Sequence, residues 1–78
     1  MNRVSIFEIQ GLYYITLYDR KYKKSFSRPI FKMHENEIPN FLYKLNKDAI
    51  SIFGEKIPTI TQNLIKRNIK IILPKLKY

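Results

Sequence analysis

The stretch Leu12-Tyr13-Tyr14-Ile15-Thr16-Leu17-Tyr18 constrains the fold more than any other part of the chain. β-Branched and aromatic residues suit a pleated, extended backbone, and successive side chains of a strand point to opposite sides. One side of this strand therefore carries Tyr13, Ile15 and Leu17, suited to a core, and the other carries Tyr14, Thr16 and Tyr18. Upstream, Val4 to Ile9 has the same character and is joined to it by the turn dipeptide Gln10-Gly11. Downstream, a charged loop from Asp19 to Lys24 leads to a third strand over Phe26 to Met33. Pro29 lacks an N–H, which confines this strand to an edge or a bulge. In it Phe31 and Met33 are expected on the core side, with Phe26, Arg28, Ile30 and Lys32 on the other.

Helical spacing takes over after the sheet. Ile38, Phe41, Leu42, Leu45 and Ala49 make one apolar stripe. Asn36 is the expected N-cap, Glu35 and Glu37 suit the positive end of the helix dipole, and Pro39 fits only a first turn. Phe53-Gly54 ends the element. In the tail, Pro58 followed by Thr59-Ile60-Thr61-Gln62 reads as a capping box, which predicts a helix from about residue 59. The alternation of Ile69, Ile71 and Leu73 keeps a short strand as the alternative there. The expected class is α+β. It comprises a twisted antiparallel sheet of three strands, or four if Arg20 to Arg28 splits, then a helix and a second C-terminal helix or short strand. A single domain fills residues 1–78, with sheet and helix in 1–55 and a basic C-terminal extension in 56–78.

The 78 residues contain no cysteine and one histidine, so disulfides, thiolate chemistry and cysteine-based metal sites are excluded. A core this small often needs a partner subunit for support, and a homodimer is expected. The formal charge is +9, and it is unevenly placed. Residues 3–33 hold seven cations against two acids, 34–55 hold two against four, and 56–78 hold six against none. Positive charge concentrated at the two ends predicts an anionic partner. With no apolar run near the roughly 20 residues of a membrane span, no membrane role is expected. The polar start Met1-Asn2-Arg3 does not resemble a signal peptide, so an intracellular location, cytoplasm or nucleus, is expected.

Chemistry finds little to work with. His34 beside Glu35 and Glu37 has the residue types of a general base or metal cluster, but the acids serve the helix start and nothing else converges there. Gly11 and Gly54 are the only glycines, so no phosphate-cradling loop exists. The sequence predicts neither enzyme activity, nor a metal, nor a cofactor.

The strand faces point elsewhere. If the side of the sheet away from the helix carries Tyr14, Tyr18, Phe26, Arg28 and Lys32, rimmed by Arg20, Lys21, Lys23 and Lys24, rings and cations are interleaved on an open surface. Unstacked bases can lie on such rings while cations follow the phosphates, whereas a duplex hides its base faces. These nine residues are the expected contacts for single-stranded nucleic acid, DNA over RNA. Lys66, Arg67 and Lys70 form either a second phosphate track or a solvated helix face.

Phe7-Glu8-Ile9, Leu12 to Tyr18, Ser27-Arg28-Pro29-Ile30-Phe31-Lys32-Met33 and Ile38-Pro39-Asn40-Phe41-Leu42-Tyr43-Lys44-Leu45 together resemble the single-stranded-DNA-binding group of transcriptional positive cofactor four, Pur-alpha and the Whirly proteins. The resemblance spans Val4 to about Ile50. It implies a dimer packed through its helices, single-stranded DNA crossing the sheet faces, and a role in transcription or in protecting unwound DNA; transcription or replication machinery is the expected setting. The chief alternatives are a small subunit or adaptor of a larger nucleic-acid-handling assembly, suggested by Ile69, Ile71, Ile72 and Leu73, and a binder of structured RNA.

Overall fold

The computed structural model describes residues 3–77; Met1, Asn2 and Tyr78 lie outside them, and with them most of the polar start. Strands β1 (Arg3–Ile9), β2 (Leu12–Asp19) and β3 (Lys24–Ile30) form an antiparallel meander in the order β1-β2-β3. Helices α1 (Ile38–Phe53) and α2 (Thr59–Ile72) follow, so the class is α+β. Among the described residues three strands form, and the segment from Arg20 to Arg28 yields a turn and most of β3 without splitting into a fourth strand.

Two turns set the register of the whole sheet. Gln10 and Gly11 both have positive φ, 53° and 84°, the conformation of the two-residue hairpin that matches strand twist. It pairs Ile9 with Leu12, hence Phe7 with Tyr14 and Arg3 with Tyr18. The second turn, residues 20–23, is held by the Asp19 carboxylate, whose Oδ1 accepts the Lys21 N–H at 2.9 Å. A short acidic side chain folding onto the backbone two residues ahead is a favoured way to open a turn. Lys23 takes φ 55°, and Asp19 pairs with Lys24. Asp19 is buried, and its Oδ2 has no hydrogen-bond partner among the described residues. Arg20, Lys21, Lys23 and Lys24 follow it directly, so their positive field offsets its charge.

This register overturns the expected phase of the third strand. β3 begins at Lys24 and ends at Ile30, and Leu17 lies opposite Phe26, Ile15 opposite Arg28 and Tyr13 opposite Ile30. Directly opposed residues share a face, so Phe26, Arg28 and Ile30 point to the helices. Phe31, expected in the core, is 57% exposed beyond the strand, whereas Met33 is partly buried and does pack against the core. A one-residue change of phase exchanges the two faces completely. Pro29 does sit on an edge strand, as its missing N–H requires.

Both helices cover the same side. The core joins Ile15, Leu17, Phe26 and Ile30 to Ile38, Leu45, Ala49 and Phe53 of α1 and to Ile57, Ile65, Ile69 and Leu76. Each buried aliphatic side chain contributes roughly 1.5–3 kcal/mol relative to exposure. The tail is thus helical, and Ile69, Ile72 and Leu73 are spent on this core, while Ile71 stays 58% exposed. Gly54 ends α1 at φ 82°, donating its N–H to the Ile50 carbonyl at 3.0 Å, a left-handed cap open to glycine without strain.

Two caps differ from expectation. Asn36 lies inside a 3₁₀ turn, Glu35–Glu37, closed by the Glu37 N–H on the His34 carbonyl at 2.9 Å. That turn carries the chain into α1 and replaces a side-chain cap, while Pro39 occupies the first turn as predicted. α2 begins one residue earlier than expected, with Pro58 at the cap and Thr59 already helical, so the Thr59–Gln62 capping box does not form. The Gln62 amide instead donates to the Ile57 carbonyl at 2.8 Å, and Asn46 Oδ1 accepts the Ile57 N–H at 2.9 Å. Both backbone polar groups of this buried residue are therefore satisfied by side chains. Asn46→Ala is expected to cost about 1–3 kcal/mol, the penalty of stranding a largely desolvated donor. A urea midpoint unchanged from the parent protein would show that this bond does not support the inter-helix link.

Candidate nucleic-acid interface

No residue of the core cluster points to the outer side of the sheet. Three cross-strand rows, read from the register, make up most of that face: Phe7–Tyr14–Pro29, Ser5–Thr16–Ser27 and Arg3–Tyr18–Ser25. In the first, the Phe7 and Tyr14 rings stack with centroids 5.6 Å apart and planes 19° from parallel. In the second, the Thr16 and Ser27 hydroxyls share a hydrogen bond of 2.7 Å. Ile9 and Leu12 close the face at the first hairpin, where Ile9 is 53% exposed.

Charge accumulates at the opposite end. Arg3 opens β1 beside Tyr18, and the turn that follows β2 supplies Arg20, Lys21 and Lys23, all exposed. Tyr22 stands among them, 53% exposed, with Lys21 Nζ 5.3 Å from its ring centroid. The Asp19–Lys21 bond fixes the base of this tip, so the cations project from a defined support. The face thus grades from apolar at one hairpin to cationic at the other.

Of the nine expected contacts, the register brings Tyr14 and Tyr18 together on the open face and sets Arg20, Lys21 and Lys23 at its border. Four lie elsewhere. Phe26 is buried, 5.2 Å from Phe53 between ring centroids. Arg28 lies over the Phe26 ring at 4.9 Å and reaches α1, where its Nε donates to Asp48 Oδ2 at 2.9 Å; its Nη1 donates to the Ser27 carbonyl at 2.8 Å. Lys24 sits opposite Asp19 on the helix side, and Lys32 follows the end of β3. Phe26 and Arg28 are turned to the helix side because the turn at residues 20–23 sets β3 one residue out of the expected phase. The strand also starts earlier and ends earlier than expected, taking in Lys24 and leaving out Lys32.

Phe7, Arg3 and Tyr22 join the set instead. Phe7 was readable in principle, because a two-residue Gln10-Gly11 hairpin places it directly opposite Tyr14. Tyr22 belongs to the charged cluster Lys21-Tyr22-Lys23-Lys24 and carries no periodicity signal of its own. His34 is exposed, and among the described residues no three His, Asp or Glu side chains converge as metal ligands would. No described helix is long and apolar enough to cross a membrane. No protein-family model, curated protein or solved structure matches this chain.

Proposed function

We propose that the protein binds single-stranded nucleic acid, DNA in preference to RNA, across the open sheet face, and carries out no chemistry of its own. The observation that carries this reading is the uncovered side of the meander, where Phe7, Tyr14 and Tyr18 lie within a surface bordered by Arg3, Arg20, Lys21 and Lys23. Rings at a half-open sheet surface offer stacking to unpaired bases, roughly 1–3 kcal/mol each, while neighbouring cations meet phosphates. An intracellular role beside transcription or replication machinery, as a dimer, fits a charge of +9 and a small core.

The test is fluorescence anisotropy with a labelled oligo-dT of about 20 nucleotides, competed by duplex of equal length. Binding that duplex fails to displace, with a log–log salt slope of about −0.7 for each phosphate contact, is the expected result. Affinity that ignores salt would remove the electrostatic half of the proposal.

One observation favours a second reading, duplex DNA. The centre of the face is the hydroxyl row Ser5–Thr16–Ser27, small side chains that can donate and accept at base edges, and sheet elements enter major grooves. In the same titration, duplex that displaces oligo-dT efficiently selects this alternative.

A further inference from the structure

Pro29 belongs to two surfaces. It faces outward as the partner of Tyr14, and it also lines a groove between β3 and α1. That groove holds two cavities of about 390 and 330 Å³, both bounded by Pro29, Phe41 and Lys44, so they run together. The row Phe7–Tyr14–Pro29 therefore crosses the sheet and ends at the mouth of the groove.

We infer that this groove is a second anion track, taking the sugar–phosphate backbone of a single strand as it leaves the sheet face; the inference rests on the single-strand reading above. Its walls carry Arg28, Lys32, Lys44 and Lys47 against Glu37 and Asp48. Arg28 and Asp48 pair at 2.9 Å and offset each other, which leaves Lys32, Lys44 and Lys47 against Glu37. Phe31, 57% exposed in the same wall, offers a ring on which a base can stack. This assigns a role to Lys32, which lies past the end of β3 and away from the open face.

An acidic peptide adding to the β3 edge is the rival occupant, and the edge is poorly made for it. Strand addition runs on main-chain hydrogen bonds, and Pro29 removes one donor from an edge of seven residues. A phosphate backbone needs only cations and room.

The experiment compares oligo-dT of about 6 and about 20 nucleotides on three proteins: the parent, Lys44→Glu/Lys47→Glu, and Lys66→Glu/Lys70→Glu. Lys44 and Lys47 are exposed on α1, and Lys66 and Lys70 are exposed on α2. Each double variant lowers the net charge by the same four units, so overall charge is controlled. The groove variant is expected to lose about tenfold or more on the long oligonucleotide, with a salt slope shallower by about 1.4, and to bind the short one within about twofold of the parent. The α2 variant is expected to change both lengths little. Equal losses on both lengths, an unaffected long oligonucleotide, or a larger loss from the α2 variant would each overturn the groove. A parent protein that binds neither length overturns the single-strand reading itself, and the groove with it.

Discussion

Tyr14→Ala combined with Tyr18→Ala should weaken oligo-dT binding by about 30-fold or more while the protein remains folded. Two stacked bases at the lower figure of about 1 kcal/mol each amount to about 2 kcal/mol, which is that factor. The fold should survive because both rings lie on the side of the sheet that contributes nothing to the core cluster. Tyr14 gives up its stack on Phe7, a contact worth about 0.5–1.5 kcal/mol. Circular dichroism and a thermal melt accompany the titration. A native melt with unchanged affinity would remove base stacking from the mechanism. Loss of the melt would mean that the outer rings hold the sheet together.

Phe26→Ala should instead unfold the protein or bring it to the edge of unfolding. Phe26 is 8% exposed, packed against Phe53 and covered by the Arg28 guanidinium. Truncating a buried phenylalanine costs about 3–5 kcal/mol, and a core of this size supplies little more than that in total. The prediction separates the two phases of β3 directly. A Phe26→Ala protein that melts like the parent but binds oligo-dT weakly would return this ring to the open face. A collapsed melt supports the register in which Leu17 and Phe26 are neighbours on the helix side.

Much of the architecture was legible because its causes are local. The alternation in Leu12 to Tyr18 sorted Tyr13, Ile15 and Leu17 from Tyr14, Thr16 and Tyr18; Ile15 and Leu17 are fully buried and Tyr13 packs against the core beside them. The stripe from Ile38 to Ala49, Pro39 in a first turn and Gly54 at a left-handed cap each depend on backbone preferences within a few residues. The tail read as a helix for the same reason, although its expected cap did not form. Thr59 is the first helical residue and Pro58 takes the cap position, so Gln62 stands one residue too far along for the box.

The third strand was not legible, since its own residues are ambiguous. Phe26 and Ile30 are apolar on one parity, and Pro29, Phe31 and Met33 on the other, so alternation alone supports either face. The choice was made outside the strand, by the length of the turn at residues 20–23 and by the Asp19 carboxylate that closes it. Once Asp19 faces Lys24, every later side chain is assigned, Phe26 joins Phe53 and Arg28 meets Asp48, twenty residues further along the chain. A contact at that separation leaves no trace in local periodicity. Residue type and spacing therefore sufficed for which segments are strands and helices and for where the positive charge lies. Which rings stay open to a ligand depended on how one hairpin aligned two strands, because a sheet's two faces differ by a single step of register.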